Sequence, residues 1–504
     1  MEFLLVLIYS IAFILLGIYL LLRKRYSYFA ERGILHDKPD LIFGNFRKMR
    51  LSKPIFLVFR EYYNKYKGKA KYVGFYLFLR SFIVILDLEL IKNVLIKDFE
   101  YFPNRGTYYN EKDDPISASI MHLDYEKWRN MRVKLTPTFT SGKMKFMFPT
   151  VVDVATQLVE VMRDAHESGS FEMGIEFADL IARYAVDVIG SIAFGLNCNS
   201  LTNPEAEFKV MGIKGFRYRH NWFVHSFIVS YPDLARKLGM KFHFDDVGEF
   251  FLRIVRETVT YREKTGTQRK DFLNLLIDLK NSDTADPITM EQITAQAYVF
   301  FTAGFETSSC TMSFCLYELG LNQMVQNKLR EEIMEVLARY EGKFTYEAMN
   351  EMKYMEKVLN ETMRKYSIVA FTLRRAIKDY VIPNTNHVIE KGMDVVIPID
   401  ALHHDPELFP NPEEFNPERF SPSEVEKRNS MSYIPFGDGP HTCIGIRFSR
   451  LVIMIGLVMV LQNYRILPTK KTENPLQYNP KKYFMGSKNG IYLKTEKICG
   501  IVNE

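Results

Sequence analysis

Cys443 stands in the stretch Tyr433 to Phe448, Y-I-P-F-G-D-G-P-H-T-C-I-G-I-R-F, just ahead of the apolar run Leu451 to Leu461. Gly437 and Gly439 permit a tight loop, and Gly445 lets backbone approach whatever the sulfur holds. If the following run is a helix, the unpaired N–H groups and positive dipole end at its start favour thiolate over thiol. A thiolate is a soft, electron-rich metal ligand. No second Cys or His lies at zinc-finger spacing, so the loop offers one protein ligand to a prebuilt metal centre, and haem is the candidate. The plain alternative is a buried structural cysteine in a glycine-rich turn.

Three other groups combine residue type with spacing. Ala303-Gly304-Phe305-Glu306-Thr307-Ser308 lies in a segment opened by a capping box, Thr289-Met290-Glu291-Gln292, which predicts a long helix to about Leu321. Gly304 in the helix interior costs about 1 kcal/mol relative to alanine, which predicts close approach of a flat cofactor. Ala303 and Thr307, four apart, share a face. Trp128 and Arg132 point the same way if their segment is helical, and Glu361 faces Arg364 on another helix.

The cysteine stretch resembles the F-x-x-G-x-R-x-C-x-G signature of the cytochrome P-450 monooxygenases at Phe436, Gly439, Cys443 and Gly445, with His441 in place of the usual arginine. The resemblance implies haem b, iron protoporphyrin IX, with Cys443 as axial iron ligand and Phe436, His441, Gly445, Ala303 and Gly304 around it. The stretch at 303 to 307 is similar to the family's A/G-G-x-D/E-T, which implies Thr307 and Glu306 as the catalytic hydroxyl and acid that bring protons to bound oxygen. Trp128 and Arg132 match W-x-x-x-R, implying an indole N–H and a guanidinium on a haem propionate. Arg375 lies where relatives supply another donor, and a histidine at 441 can still donate one hydrogen bond. Glu361 and Arg364 match E-x-x-R, and with Arg419 of Pro417-Glu418-Arg419-Phe420 the family implies a buried, fold-locking network. As an exposed pair they would be worth under about 1 kcal/mol.

The surrounding elements must bring these distant groups together. With 504 residues and 47% apolar content the chain can bury a large core, and its 14% aromatic share suits an apolar cavity. Net charge is +6, without a long basic run interleaved with aromatics, so no nucleic-acid partner is expected. Five scattered cysteines argue against a disulfide framework and for a reducing, cytosol-facing location. Phe3 to Leu22 is an uncharged run of about 20 residues followed by Arg23, Lys24 and Arg25, which predicts a transmembrane anchor over 1–25. A signal peptide fits less well, because Glu2 precedes the run and no small-x-small site follows.

Residues 26–504 are read as one catalytic domain. The resemblance implies a mainly α fold with small β-sheets, the cytochrome P-450 fold, with haem between the long central helix and the Cys443 loop. Lys71 to Leu86 reads as a strand pair, and Leu451 to Leu461 as a buried helix. The hinge, Gly33 to Phe46, has Pro39 as its only proline, which predicts a loosely fixed orientation on the membrane, although Gly44-Asn45 resembles the family turn. Phe208, Phe216, Trp222, Phe223, Phe227 and Tyr231 fall where relatives roof the substrate cavity, with ordinary core packing the alternative for each. Ser367-Ile368-Val369 replaces a common proline, the segment Ile368 to Leu373 should border substrate, and the tail from Phe484 to Gly490 should return a loop to the cavity. His403-His404-Asp405 reads as a structural turn. Outward-facing members of Lys127, Arg129, Arg132, Lys134, Lys143 and Lys145 are assigned to docking an acidic reductase.

The chain is most similar to insect microsomal members of family six. This implies the endoplasmic reticulum membrane, electrons from NADPH through NADPH-cytochrome reductase, a small haem-b electron carrier as a further donor, and small lipophilic substrates such as plant compounds, insecticides or endogenous lipids. Two alternatives stay open on sequence: a haem-thiolate isomerase or dehydratase, and a membrane-tethered haem or ligand carrier.

Overall fold

The structure, a computed structural model, describes residues 2–41, 43–45, 53–78, 80–167, 174–217, 219–269, 271–282, 287–480, 482 and 484–498. Phe46 and Cys499 lie outside the described residues, as do the side chains of Trp222 and Phe223.

Among the described residues helices dominate, with three small sheets beside them. The first helix, Glu2–Tyr26, exposes its apolar side chains and ends in Arg23, Lys24 and Arg25, as a candidate membrane anchor would. Its far end is docked: Tyr76 Oη donates to the Tyr26 carbonyl at 3.1 Å and accepts from Phe29 N at 3.1 Å. The hinge that follows is held more firmly than its lack of prolines predicts. Gly74 N donates to Leu35 O at 2.8 Å, Asn45 N to Tyr76 O at 2.7 Å, and Tyr76 N to Asn45 Oδ1 at 2.8 Å. Backbone pairing to a strand edge does the work that prolines do elsewhere.

Four strands form the main sheet in the order Tyr72–Leu77, Arg80–Ile85, Asp394–Ile397 and Thr372–Arg375. The middle pair is parallel and the outer pairs antiparallel. The sheet buries its β-branched and aromatic residues with helix Ile55–Tyr66 in one core cluster, while the helical body has its own.

Helix Met290–Leu321 is the axis of that body. Both bonds of its capping box are present, Gln292 N to Thr289 Oγ1 at 3.2 Å and Thr289 N to Gln292 Oε1 at 3.0 Å. Its residues are buried on nearly all sides, because helices Phe177–Ile189 and Ile446–Asn463 pack against it. Ile446–Asn463 contains the apolar run after the cysteine loop, and its Leu451 to Leu461 side chains are core.

Glu361 and Arg364 on helix Lys353–Lys365 are fully buried and bonded twice, at 2.7 and 2.8 Å. Arg364 also donates to the carbonyls of His403 and Glu414, and Glu361 Oε1 accepts from Asn416 N at 2.9 Å with Arg419 Nε 3.3 Å away. Paired charges with their remaining valences filled can be buried, whereas removing one partner costs about 3–5 kcal/mol. The network ties this helix to two distant loops. His403 belongs to it, with Nδ1 at 2.8 Å from Ser367 Oγ and Nε2 accepting from Ile434 N at 3.2 Å. Asp405 accepts from Tyr63 Oη at 2.7 Å, so both groups hold a turn.

Candidate active site

The loop before helix Ile446–Asn463 is closed by Cys443 N donating to Phe436 O at 3.0 Å. Gly439 has φ +70°, and a Cβ there would lie 2.0 Å from the Leu95 carbonyl oxygen, so only glycine fits between loop and neighbour. Gly445 caps the helix, and a Cβ on it would stand 3.9 Å from Cys443 Sγ. The sulfur is accessible, yet protein surrounds it, so it opens onto internal space.

Burial raises the Cys443 pKa above the ordinary thiol value, and the Gly445 N–H with the Arg132 and Arg105 charges recovers only part of the difference. Metal coordination would complete the deprotonation.

Above the loop, Ala303 is exposed in the middle of an otherwise buried helix, and Thr307 Oγ1 donates to Ala303 O at 2.7 Å. The close approach predicted for Gly304 is to another helix. A Cβ there would stand 2.5 Å from Ile189 Cδ1 and 3.8 Å from Phe448 Cε1, so the glycine admits helix Phe177–Ile189. The Phe448 contact also brings the cysteine helix against the Ala303–Thr307 turn. Glu306 pairs with Lys482 Nζ at 3.6 Å, and Cys310 Sγ lies 3.9 Å from the same oxygen.

Trp128 is buried on helix Tyr125–Leu135, and its Nε1 finds no partner among the described residues. Arg132 donates to Thr442 O at 2.8 Å. The His441 ring lies 4.0 Å from the Trp128 ring, and its Nε2 donates to Pro103 O at 2.7 Å. Burial first, then Arg105, Arg374 and Arg132, push its pKa down to about 2. With Nε2 bonded to Pro103 O, the buried Nδ1 is left without a partner among the described residues.

Arg375 is also committed elsewhere. Its Nε donates to Asp394 Oδ1 at 2.8 Å and its guanidinium to Gly106 O at 3.1 Å, while Arg80 meets the same carboxylate. The reason is strand phase: Arg375 lies directly opposite Asp394 in the antiparallel pair, so Arg374 points to the other face. Arg374 is 2% exposed, its Nε has no partner, and burial followed by Arg105 lowers its pKa to about 9. Arg105, which no spacing in its F-P-N-R-G segment singles out, donates to Ile120 O at 3.2 Å and acts electrostatically on Cys443, His441 and Arg374. An indole N–H and a guanidinium Nε that are buried without a partner among the described residues suit an anionic ligand. With the accessible Ala303 turn and the cysteine, they fit a flat, carboxylate-bearing metal cofactor.

The proposed roof is built by Phe216, 6.0 Å from Phe305 and 5.4 Å from Phe484, ring to ring. Phe208 instead packs into the core among Phe194, Phe250 and Phe301. Met485 N donates to Ile368 O at 3.2 Å, which returns the C-terminal loop to the Ile368 segment, where Val369 is 40% exposed between buried neighbours. On the opposite surface Lys127 and Lys145 are paired with Glu111 and Glu347, and Arg129 and Lys143 are exposed.

Fold and site together define a mainly helical haem-thiolate enzyme. The chain belongs to the cytochrome P-450 family, whose model, Cytochrome P450, matches residues 36–494. Cytochrome P450 6a8 of Drosophila melanogaster is 48% identical over 488 residues, covering 95% of this chain and 96% of that one. Cytochrome P450 6A1 of Musca domestica is 45% identical over 485 residues, covering 94% and 95%. The protein is accordingly a monooxygenase that binds haem through a cysteine thiolate and works with a redox partner on lipophilic substrate.

Proposed function

We propose that the protein is an anchored monooxygenase of the endoplasmic reticulum, facing the cytosol, which takes electrons from NADPH-cytochrome reductase and oxidises small lipophilic xenobiotics. Residues 26–504 act as one catalytic unit. The observation that carries the proposal is the set of unmatched donors beside Cys443: Trp128 Nε1 and Arg374 Nε, both buried and without a partner among the described residues. In this reading Cys443 ligates iron, and Trp128, Arg132, Arg374 and Arg105 hold the propionates. Bound haem supplies dioxygen activation with the thiolate as electron donor.

The chain's own residues do the rest. Phe216, Phe305 and Phe484 exclude water from above and present an apolar wall to substrate. Thr307 Oγ, back-bonded to Ala303, keeps its oxygen lone pairs for a hydrogen bond from the reacting side, and Glu306 supplies the exchangeable proton. The exposed Arg129 and Lys143 suit an acidic reductase surface. Reconstitution with reductase and a panel of lipophilic compounds tests this. Thr307→Ala should keep haem but divert NADPH electrons to hydrogen peroxide, and normal coupling in that variant would remove the relay role. Cys443→Ser should lose the thiolate band of the reduced carbon monoxide complex. Product formed without NADPH would favour an isomerase instead.

A further inference from the structure

The acid beside Thr307 has a partner on its own helix, Cys310 Sγ at 3.9 Å, and a charged one from far along the chain. Glu306 Oε1 has a lysine 3.6 Å away, and that lysine comes from sequence 176 residues later. Lys482 reaches it by lying across Gly486, where a Cβ would come within 2.6 Å of Lys482 Cδ and 3.2 Å of Nζ. The loop is folded back on itself by Asn479 N donating to Gly486 O at 2.9 Å and Lys482 N to Asn479 O at 3.3 Å. The same loop carries Phe484 to the roof and Met485 to Ile368 O.

We infer that Lys482 is the positioning residue for the relay acid, fastening the Glu306 carboxylate to the C-terminal loop so that proton supply depends on how that loop is seated over substrate. The inference rests on the relay role proposed above for Glu306. At 3.6 Å the ammonium lies within charge-pairing range of Glu306 Oε1, the oxygen that Cys310 Sγ also approaches at 3.9 Å. Both contacts fall on Oε1, which leaves Oε2 to take and give a proton. Glu176, the other acid that acts on Lys482, is engaged elsewhere, accepting from Ala178 N, Asp179 N and Ile491 N. Cys310 is the remaining titratable neighbour, and burial raises its pKa so that it stays an uncharged thiol. Glu306 is therefore the anion that Lys482 meets at the site, and substrate that shifts the loop shifts the acid.

The test uses the full-length, haem-loaded protein with reductase in phospholipid vesicles and an alkoxycoumarin as probe. Product per NADPH and the solvent deuterium isotope effect are measured for Lys482→Met, Lys482→Gln, Lys482→Arg, Glu306→Gln and the Glu306→Gln/Lys482→Met double variant. We expect the Met and Gln variants to keep the thiolate band, to lose about fivefold or more in product per NADPH, and to show an enlarged isotope effect, each largely restored by Arg. In the Glu306→Gln background, Lys482→Met should change neither quantity further. Thermal melts of the same set give a readout independent of turnover: Lys482→Met should lower the midpoint only while Glu306 is present. Wild-type coupling in both Lys482→Met and Lys482→Gln, or losses that add to those of Glu306→Gln, would overturn the positioning role and leave the relay standing. Wild-type coupling in Glu306→Gln would overturn the relay itself and this inference with it.

Discussion

Replacing Arg374 and Arg375 by methionine, one at a time, separates two adjacent guanidiniums that point to opposite faces of one strand. Arg374 is 2% exposed and makes no ion pair among the described residues, and its pKa falls from 12.5 to about 9. That displacement corresponds to at most about 5 kcal/mol of unfavourable charge burial. A propionate would offset it, and a charge-assisted contact of that kind contributes about 1.5–3 kcal/mol. Arg374→Met should therefore speed haem loss by roughly 10- to 150-fold, while haem-depleted protein becomes no less stable. Arg375→Met should do the reverse. It removes one partner of Asp394, itself 2% exposed, and leaves Arg80. The fold should lose about 1.5–3 kcal/mol, and haem loss should change by less than about threefold. Transfer of haem to excess apomyoglobin, followed by absorbance, gives the rates, and thermal melts of both forms give stability. Equal acceleration by the two variants, or an unchanged rate in Arg374→Met, would refute the assignment by strand phase.

Three further outcomes follow from the packing. Gly439→Ala should lose more than about 3 kcal/mol, combining the left-handed backbone cost with a clash against the Leu95 carbonyl, whereas Gly437→Ala, at the same φ of +70° with nothing within 4 Å, should lose only about 1–2 kcal/mol. The yield and melting temperature of holoprotein distinguish them. Glu361→Ala strands the fully buried Arg364 guanidinium and should cost about 3–5 kcal/mol, read by urea titration; a loss under about 1 kcal/mol would mean that water reaches the site. His403 and His404 are buried with pKa values pushed down to about 3, by burial first, then by His404 for His403 and by Arg60 for His404. Unfolded histidine titrates near about 6.5, so below that pH the unfolded chain binds more protons, and the pair should remove up to about 2.7 kcal/mol of stability per pH unit as pH falls toward about 3. Melting temperatures that stay level between about pH 6 and pH 5 would contradict two neutral rings.

The parts of the site that were legible in the sequence are those whose chemistry is local. The glycines and cysteine of 437–445, the acid and threonine on one helix, and the E-x-x-R pair each fall within a turn or two of backbone, where spacing alone sets which side chains meet. The capping box marked the start of the central helix for the same reason, and alternation over 71–86 marked the strand pair. The support of the proline-poor hinge was not legible, because it comes from pairing with a strand about 30 residues away.

What the sequence by itself determined is the Glu361–Arg364 pair and the local spacing of the residues proposed as ligand and relay, because each group neighbours its partners on a single element. Only the tertiary structure decided which of two adjacent arginines pairs with Asp394, since strand phase is set by the partner strand. It also decided that Gly304 packs on Ile189, that His441 Nε2 bonds to Pro103 O, and that Arg105 acts on Cys443 and Lys482 meets Glu306. These contacts join residues far apart in the chain. Their existence depends on burial and on what packs opposite, which no local pattern encodes.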